Sequence, residues 1–403
     1  MRSVAWPRSA RMARAVAAAS RAPADLSAFD ASRLGNAWQA PLMLLLTIVL
    51  VSFGLIAVYS ASAVKAQAGG LPDYYFVIRQ AIGGSIGLLV LALMANIDYR
   101  VLRLLAWPLL FGVVALLLIV LLPGTEGIAP RVNGGRRWID FGPINGQPSE
   151  LAKLALIVWT AALAVKKQEQ LRSLSRGLLP FLLVWSFVCA LIFLQPSLSA
   201  AAIVLLLSAL VLFAGGARIG HFILLAVVGV PLLMSQVSGV AYRMRRIVAF
   251  LDPTHDPEGV SYQINQSLIA IGSGGLFGKG LGHGQQKFGF LPEPHNDFIF
   301  AMIGEEWGFV GALFLIGVYA TFGLVGYRVA RNAPDLFGSL LAVGMTNLIV
   351  VQAILHMAVN TALIPTTGVT LPFVSYGGSS LIVCLAAVGI LMNIARRAEK
   401  AAE

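Results

Sequence analysis

Ten apolar segments, separated by polar connections, constrain the fold of this chain more than any other feature. A helix needs about 20 predominantly apolar residues to cross a bilayer, and segments of roughly that length recur through the 403 residues. Only 12% of the residues are charged, whereas ordinary soluble domains contain about 25%. We therefore predict an all-α, polytopic integral membrane protein with about ten transmembrane helices. The segments lie near residues 41–64, 75–95, 103–122, 151–165, 178–196, 198–216, 220–237, 298–327, 336–362 and 379–395.

The distribution of Lys and Arg predicts the orientation of these segments. Cytoplasmic connections carry the excess of basic residues, and 18 of the 29 lie in the two tails and in the connections on one side. We predict a basic cytoplasmic tail over residues 1–40, a membrane domain over 41–395 and a second cytoplasmic tail over 396–403. The first 40 residues, rich in Arg, Ala and Ser, are equally typical of an organellar transit peptide in composition.

Two connections on the opposite, outer side carry basic residues against this rule. They cover about residues 123–149 and 238–297, and the second is a large loop between spans 7 and 8. Basic charge without a topological use suggests an anionic ligand, although cations at a membrane edge also bind ordinary lipid phosphates. The residues are Arg131, Arg136, Arg137, Arg243, Arg245, Arg246, Lys279 and Lys287.

Several short motifs do not qualify as cofactor sites. The glycine run IGSGGLFGKGLGHG at 271–284 lacks the Ser or Thr that follows Lys in a phosphate-binding loop, and it does not open a helix after a strand. A flexible, close-packing segment is predicted instead. The five histidines lack zinc-ligand spacing, and Cys189 and Cys384 are predicted to be small buried hydrophobic residues. No organic cofactor and no nucleic-acid partner are predicted.

An ion pair is predicted at the start of the fourth segment. In GQPSELAKL, Pro148 suits the first turn of a helix, and Ser149 could cap that turn. Glu150 and Lys153 are three residues apart and therefore share one helix face. Ionisable groups at a membrane edge often mark a site, and a purely structural ion pair is the alternative.

Four carboxylates lie in LPEPHNDFIFAMIGEEWG at 291–308, and three of them, Asp297, Glu305 and Glu306, lie where the polar loop runs into an apolar helix. Asn296 and Asp297 are both good N-cap residues, so one could cap the helix while the other reacts. A partly desolvated carboxylate has a raised pKa, which suits a general base, and Asp297 is the candidate. Glu305 and Glu306 lie about two turns deeper and are predicted to be buried polar packing residues.

Longer motifs resemble a known family. The chain contains, in order, NGGRRWIDFG at 133–142, QPSELAK at 147–153, YRMRRIVAFLDP at 242–253, VSYQINQSLIAIGSGGLFGKGLG at 260–282, LPEPHNDFIFAMIGEEWG at 291–308 and PTTGVTLPFVSYGGSS at 365–380. Together these resemble the SEDS family of shape, elongation, division and sporulation proteins. The last motif resembles the division branch more than the elongation branch.

The resemblance implies a bacterial peptidoglycan glycosyltransferase that polymerises lipid II into β-1,4-linked glycan strands. The reaction would take place at the outer, periplasmic face of the cytoplasmic membrane, at the division septum. The resemblance assigns the catalytic role to Asp297, with Asn296 in place of the family's usual Thr. The candidate substrate- or pyrophosphate-binding residues are Glu150, Lys153, Arg137, Trp138, Arg243, Arg245, Arg246, Lys287 and His295. The candidate structural residues of the motifs are Gln147, Pro148, Ser149, Ser375, Tyr376, Gly377 and Gly378.

Such a polymerase joins the 4-hydroxyl of one lipid-linked disaccharide to the anomeric carbon of another and displaces a lipid pyrophosphate with inversion. We expect Asp297 to take the hydroxyl proton, and outer cations together with Mg²⁺ or Mn²⁺ to stabilise the departing pyrophosphate. The expected partners are lipid II, the growing glycan strand, membrane lipid, other division proteins and a class B penicillin-binding protein, which is a transpeptidase. Two positions depart from the family pattern: Ser197 replaces its usual Asp, and Thr367 stands where some division members carry Lys.

Other functions are compatible with these features. Ten spans with buried charges suit a flippase that moves lipid II across the membrane, since fold alone does not settle function. The polar candidates cluster at the outer edge, however, whereas carriers favour midplane sites between related halves. An elongation-type polymerase and a scaffold that recruits a partner enzyme are the further alternatives, and the scaffold leaves Asp297 without a chemical role.

Overall fold

The computed structural model of the chain describes residues 38–131, 135–140, 142, 145–239, 241–252, 256, 259 and 261–402. Helices account for most of this part of the chain, and one short antiparallel hairpin interrupts them. The helices are α1 (Gln39–Ala68), α2 (Tyr75–Asn96), α3 (Arg100–Leu104), α4 (Ala106–Leu121), α5 (Pro148–Lys166), α6 (Leu179–Leu194), α7 (Leu198–Ala214), α8 (Ile219–Ser238), α9 (Ala241–Leu251), α10 (Tyr262–Ser273), α11 (Ile299–Asn332), α12 (Leu336–Asn360) and α13 (Gly378–Ala402); the hairpin strands are β1 (Ile139–Asp140) and β2 (Asn145–Gly146).

Each of the ten predicted apolar segments contains a helix, which confirms the all-α membrane fold. Seven helices in the described part of the chain are long and apolar enough to cross a bilayer: α1, α2, α5, α11, α12, α13 and α6 with the turn of π-helix before it. Helices α4 and α7 are apolar but shorter. The predicted count of ten spans, the orientation and the boundaries of the tails stay predictions, and residues 1–37 of the basic tail lie outside the described residues.

The last helix in chain order lies at the centre of the bundle. α13 packs most extensively against α2, and it also contacts α1, α5, α11 and α12. A Cβ on Gly87 would lie 2.4 Å from Leu385 Cδ1, and one on Gly389 would lie 2.4 Å from the carbonyl oxygen of Leu91. Small residues let helix backbones approach closely inside membranes, so these two glycines set the α2–α13 distance. Because 83% of its apolar stretch is buried, α13 is shielded from lipid by its neighbours.

Helix α11 is broken at Gly308, where φ is +67° and ψ is −162°. The preceding loop segment supplies the backbone hydrogen bonds that the break removes. Phe309 N–H donates to Gly275 O (2.9 Å) and Val310 N–H to Leu276 O (3.1 Å), while Lys279 N–H donates to Glu305 O (3.0 Å). Gly280 N–H donates to Glu306 O (3.0 Å) as well. Backbone hydrogen bonds from the segment 274–280 therefore hold the two halves of α11 together.

The glycine run at 271–284 is the close-packing segment that the sequence predicts. A Cβ on Gly274 would lie 1.9 Å from Gly304 O, and one on Gly278 would lie 2.2 Å from Glu306 O. Gly278 also has a φ of +79°, a region that side chains with a Cβ rarely adopt. Backbone contact with α11 at this distance is possible only where the side chains are absent.

Candidate active site around Asp297

Asp297 lies one residue before the first turn of α11, at the end of the long connection from α8 to α11. Its backbone N–H donates to Glu293 O at 3.1 Å, and its carbonyl accepts a hydrogen bond from Asn360 Nδ2 at 3.1 Å. The Oδ1 atom of the same Asn360 accepts from Ala301 N–H in the first turn of α11 (3.0 Å). One amide side chain from the end of α12 thus holds both Asp297 and the start of α11.

The prediction that Asn296 or Asp297 caps this helix is wrong. Phe298 is the N-cap residue, and no side chain caps the helix from that position. Asn360 takes over the role, because its amide oxygen accepts from the first turn. The Asp297 carboxylate is therefore free of the structural task that would otherwise explain its presence.

The environment of the Asp297 carboxylate raises its pKa to about 6. Burial is the largest cause, and the charge of Glu293 raises the pKa further. Arg246 and Lys65 lie near enough to lower it in part. Gly368 faces the carboxylate, since a Cβ built on that residue would lie 3.9 Å from each carboxylate oxygen. Asp297 is thus a carboxylate that can exchange a proton near neutral pH.

The loop between α12 and α13 forms the second wall of this site. Ser375 Oγ donates to Asn296 O at 2.8 Å, and Tyr376 N–H donates to His295 O at 3.0 Å. Arg246 Nη1, on α9, donates to Thr366 O at 3.1 Å. The structure therefore brings together four predicted candidates, His295, Ser375, Tyr376 and Arg246, around Asp297.

Gln80 on α2 braces this loop from the opposite side. Its Nε2 donates to Ser375 O (3.0 Å), and its Oε1 accepts from Gly377 N–H (3.0 Å). Gln80 is 1% exposed, so both ends of its amide are used inside the protein. It was not among the residues predicted from the sequence. The available signal was a lone amide within an apolar segment, which is costly to bury without partners.

His295 is buried between two aromatic rings beside the site. Its ring centroid lies 4.6 Å from that of Phe76 and 5.5 Å from that of Tyr376. Burial, with a contribution from the charge of Lys65, lowers the pKa of His295 to about 4, so the ring is neutral at pH 7. Its Nδ1 has no hydrogen-bond partner in the described structure.

Lys65 and Glu293 form an ion pair at the outer rim of the site, with 2.5 Å between Nζ and Oε1. Both side chains are partly exposed, and Glu293 Oε2 lies 3.9 Å from His295 Nε2. Neither residue was a candidate from the sequence. Their importance follows only from the folded distances, because Lys65 lies in the last turn of α1 and Glu293 lies more than 200 residues later.

Glu150 and Lys153 form the predicted ion pair, with 2.7 Å between Oε1 and Nζ. Both are buried, and Lys153 also donates to Gln352 Oε1 on α12 at 2.5 Å. Glu150 Oε2 has no described partner. No hydrogen bond or ion pair in the described part of the chain joins this pair to Asp297, so the two form separate polar clusters.

The residues around Glu150 attach the start of α5 to the start of α13. Pro148 is the first residue of α5, and Ser149 is buried. Gln147 N–H donates to Ser379 Oγ at 3.0 Å, and that hydroxyl donates to Asn145 O at 2.6 Å. Gly378 opens α13 in close contact with α2, since a Cβ on Gly83 would lie 3.1 Å from Gly378 Cα.

Several of the outer cations have protein partners. Arg137 Nε donates to Gln195 O (2.9 Å) and its Nη2 to Pro196 O (2.7 Å), while Arg136 pairs with Glu126. Lys279 Nζ lies 2.8 Å from Glu305 Oε1. These contacts attach the outer loops to the helix ends.

Lys287 is the candidate whose surroundings fit a binding role least. It is 7% exposed, and its Nζ lies 3.0 Å from Glu306 Oε1. Ser60 on α1 donates to the same carboxylate at 2.6 Å. Glu306, predicted as polar packing, is therefore the counter-charge that holds Lys287. Among the other candidates, Arg245 is exposed, Trp138 is half-buried next to β1, and the side chain of Arg243 lies outside the described structure.

Two buried oxygen atoms lack hydrogen-bond partners in the described structure: Asn296 Oδ1, on the residue before Asp297, and Thr367 Oγ1. Thr367 directly precedes Gly368, which faces the carboxylate. Among the described residues there is no cluster of three or more His, Cys, Asp or Glu side chains that could hold a metal ion. A cation at this site would therefore take amide, hydroxyl and substrate oxygens besides Asp297.

A family model described as "Cell cycle protein", covering FtsW, RodA and SpoVE, matches residues 40–400. A "Probable peptidoglycan glycosyltransferase FtsW" from Trichlorobacter lovleyi is 44% identical over 352 residues, which are 87% of this chain and 92% of that protein. "Stage V sporulation protein E" from Bacillus subtilis is 42% identical over 357 residues, which are 88% of this chain and 96% of that protein.

Solved structures show the same fold. A chain from a structure described as "Structural coordination of polymerization and crosslinking by a peptidoglycan synthase complex" is 30% identical with a TM-score of 0.73, covering 88% of this chain and 97% of that one. The rod shape determining protein RodA of Thermus thermophilus is also 30% identical, with a TM-score of 0.64, covering 88% of this chain and 95% of that one. The sequence resemblance to this family is confirmed.

Proposed function

We propose, from the premise that this chain belongs to the FtsW, RodA and SpoVE family of cell cycle proteins, that it is a peptidoglycan glycosyltransferase. Its substrate is lipid II, and its product is a β-1,4-linked glycan strand. Relatives named as glycosyltransferases of this kind match it over most of its length. The single observation that carries the proposal is the Asp297 carboxylate, which has no capping role and faces Gly368 in a site with unpartnered polar atoms.

Asp297 acts as the general base in this proposal. A pKa of about 6 leaves the carboxylate ionised at pH 7 and still basic enough to accept the proton of the acceptor hydroxyl as attack develops. A single carboxylate suits a displacement with inversion that forms no covalent intermediate. Asn360 fixes the backbone at Asp297, so the carboxylate keeps its position without a conformational search.

The pyrophosphate of the donor substrate needs positive charge as it leaves. Arg246 lies near Asp297 and is tied to the second wall through Thr366, and Lys65 lies at the rim. We propose these two as the cations that face the departing pyrophosphate, with exposed Arg245 drawing the lipid-linked anion toward the site. Glu150 and Lys153 then belong to a second, buried polar cluster that positions α5 against α12.

We propose that a divalent cation, Mg²⁺ or Mn²⁺, binds at Asp297. Hard cations of this kind prefer oxygen ligands and often share them with substrate phosphates. Asp297, Asn296 and Thr367 would hold it. When bound, it would add positive charge beside the departing pyrophosphate.

The likeness to FtsW relatives supports a role in septal wall synthesis during cell division, in the bacterial cytoplasmic membrane. One of the matched structures is of a peptidoglycan synthase complex that coordinates polymerisation and crosslinking. On that basis we propose a class B penicillin-binding protein as the transpeptidase partner, alongside other division proteins and the surrounding membrane lipid.

The test is polymerisation of purified lipid II by the protein together with this partner, resolved as glycan strands on a gel. Wild type is compared with Asp297→Asn, which keeps the size of the side chain and removes its basicity. We expect strands from wild type, and at least a 100-fold loss in the variant with lipid II binding retained. Strands of equal yield from both would remove Asp297 from the role. Absence of strands from both, with lipid II crossing vesicle membranes, would favour the flippase.

A further inference from the structure

We propose that α10 and the glycine-rich segment after it form a re-entrant element, which enters the outer half of the membrane and places Leu276 and Phe277 among the lipid acyl chains. The sequence predicts residues 238–297 to be one outer loop. The structure shows two helices inside it, α9 and α10, and a hydrogen-bonded turn after α10. Helix α10 and this turn lie against membrane-spanning helices. This inference does not depend on the proposed reaction.

The depth of the segment follows from its neighbours on α1. Trp307, next to the break in α11, packs on Phe53 with ring centroids 5.1 Å apart. Phe53 lies twelve residues before Lys65, the first basic residue at the outer end of α1, which corresponds to about 18 Å along a helix. The hydrocarbon core of a bilayer is about 30 Å thick. Ser60, whose hydroxyl donates to Glu306 at 2.6 Å, lies only five residues before Lys65, about 8 Å along the helix. A segment bonded to residues 305–310 of α11 therefore lies between these two depths, inside the core.

Helix α10 carries the chain from the end of α12 to this depth. Ser267 Oγ donates to the carbonyl of Asn360, at the outer end of α12, at 2.8 Å. Six residues later α10 ends at Ser273, about 9 Å further along the helix axis. Gly274 then contacts the backbone of Gly304. The chain thus moves inward from the level of Asn360 to the level of the break in α11.

The backbone of the segment meets the main requirement for a non-helical stretch inside a membrane. Unpaired N–H and C=O groups in hydrocarbon cost several kcal/mol each, so such a stretch must find partners in the protein. Here the carbonyls of Gly275 and Leu276 and the N–H groups of Lys279 and Gly280 all bond to α11. The same four bonds satisfy the groups of α11 that the break at Gly308 would leave open.

The charges of the segment are neutralised within the protein. Lys279 pairs with Glu305, which is fully buried and also accepts from the N–H groups of Gln285 and Gln286. Lys287 pairs with Glu306, which Ser60 also contacts. Two carboxylates on α11 thus match the lysine of the segment and the lysine that follows it. This explains the paired glutamates without assigning them a catalytic task.

The apolar side chains of the turn continue the lipid-facing surface of α11. Leu276 and Phe277 are 65% and 80% exposed. The backbone bond between Val310 and Leu276 places them beside Phe309 and Val310, which are 60% and 51% exposed on the same helix. Leu313 and Phe314 extend this surface along α11. Because the surface is continuous with a spanning helix, its occupant is lipid.

The test uses an environment-sensitive fluorophore attached at a cysteine in place of Phe277. The full-length protein is placed, one copy per disc, in lipid nanodiscs containing phosphatidylcholine with a nitroxide quencher on its acyl chain. Two control positions give the reference values of quenching. Leu313→Cys on the spanning part of α11 represents a lipid-exposed side chain, and Ala68→Cys at the outer end of α1 represents a side chain at the membrane edge. The wild-type chain, labelled in parallel, measures background from Cys189 and Cys384.

We expect acyl-chain quenching at position 277 to lie closer to that at position 313 than to that at position 68, with a blue-shifted emission. A water-soluble quencher should act at least threefold more strongly at position 68 than at position 277. Quenching at position 277 closer to the value at position 68 would overturn the proposal. Phe277 is exposed, so its replacement removes little packing, and an unchanged thermal unfolding midpoint confirms that the variant is folded.

Discussion

At the level of single residues, Asn360 and Glu293 hold the backbone of Asp297, and the side chain of Asp297 caps no helix. Its identification from the sequence depended on the motif around it and on the likeness to a family. The roles of Asn360, Gln80, Lys65 and Glu293 could not be predicted, because each acts through a contact with a residue far away in the chain. The capping prediction failed for the same reason, since Asn360 comes from a different helix.

The pKa of Asp297 gives the first prediction. A base must be deprotonated to act, so kcat/KM for polymerisation should rise with pH and level off above a midpoint near 6, where an unperturbed aspartate would give a midpoint near 4. Glu293→Gln removes a negative neighbour that raises the pKa, and it also frees Lys65. Both changes lower the pKa of Asp297, so the midpoint should move to lower pH. Rates measured from pH 4.5 to 8 provide the check, and a shift to higher pH would contradict the assignment.

Gly368 gives a second prediction. In Gly368→Ala the new methyl group would lie 3.9 Å from both oxygens of Asp297 and would occupy space that a substrate hydroxyl needs. We expect a tenfold or greater loss in kcat with an unchanged unfolding midpoint. The control is Gly112→Ala on α4, where a Cβ would meet nothing within 4 Å. Equal effects of the two variants on kcat would show that Gly368 does not border the reacting groups.

At the level of elements, the break in α11 depends on the segment 274–280, because that segment supplies the backbone hydrogen bonds that the break removes. The apolar pattern of residues 298–327, which two glutamates interrupt, predicted a spanning helix with support from its neighbours, whereas the break was not predicted. One glycine within an apolar run has no unique consequence, since glycines also occur inside intact membrane helices. The long glycine run nearby was recognised as close-packing, but its partner could not be identified from the sequence.

The ion pair between Lys287 and Glu306 allows a test of the attachment between α11 and the residues that follow α10. Glu306→Gln leaves Lys287 buried beside a neutral group, and breaking a buried ion pair on one side costs about 3–5 kcal/mol. We expect a clearly lower thermal unfolding midpoint in detergent. Lys287→Met combined with Glu306→Leu removes both charges and should recover most of the loss. Lys65→Met, at a partly exposed pair, should change stability by less than about 1 kcal/mol. A double variant no more stable than Glu306→Gln would argue against the pair.

Substitutions at two glycines of the run at 271–284 can distinguish the effect of steric contact with α11 from the effect of backbone strain. Gly278 and Gly282 have φ values of +79° and +80°, so an added Cβ strains both backbones by roughly 1–2 kcal/mol. Only at Gly278 would that Cβ also collide with the carbonyl of Glu306, whereas at Gly282 it would meet nothing within 4 Å. Thermal unfolding should therefore show a larger loss for Gly278→Ala than for Gly282→Ala. Equal losses would mean that the segment does not pack against α11 at this distance.

At the level of the whole molecule, the apolar pattern predicted the class of fold and the positions of the helices well. It predicted poorly what lies between spans 7 and 8, because a re-entrant element has the composition of a loop with occasional apolar residues. An apolar pattern indicates a membrane span by its length. A segment that enters and leaves on the same side is too short to be recognised in this way.

The predicted orientation can be checked with two single cysteines. Ala68→Cys, at the outer end of α1, should react with a membrane-impermeant thiol reagent added to intact spheroplasts. Gln170→Cys, between α5 and α6 and exposed, should react only after the membrane is opened. Reaction of both positions in intact spheroplasts would contradict the arrangement inferred from the basic residues.

The central position of α13 has a consequence for the synthesis of the protein. It follows all of its neighbours in chain order, and the loop that faces Asp297 lies between α12 and α13. While the ribosome is still making the preceding helices, the groove on α2 that receives α13 has no occupant, and one wall of the proposed site around Asp297 does not yet exist. A nascent chain can therefore insert most of its helices into the membrane without being able to consume substrate. On this view, the chain becomes able to use its substrate only after α13 has left the translocon and packed against α2.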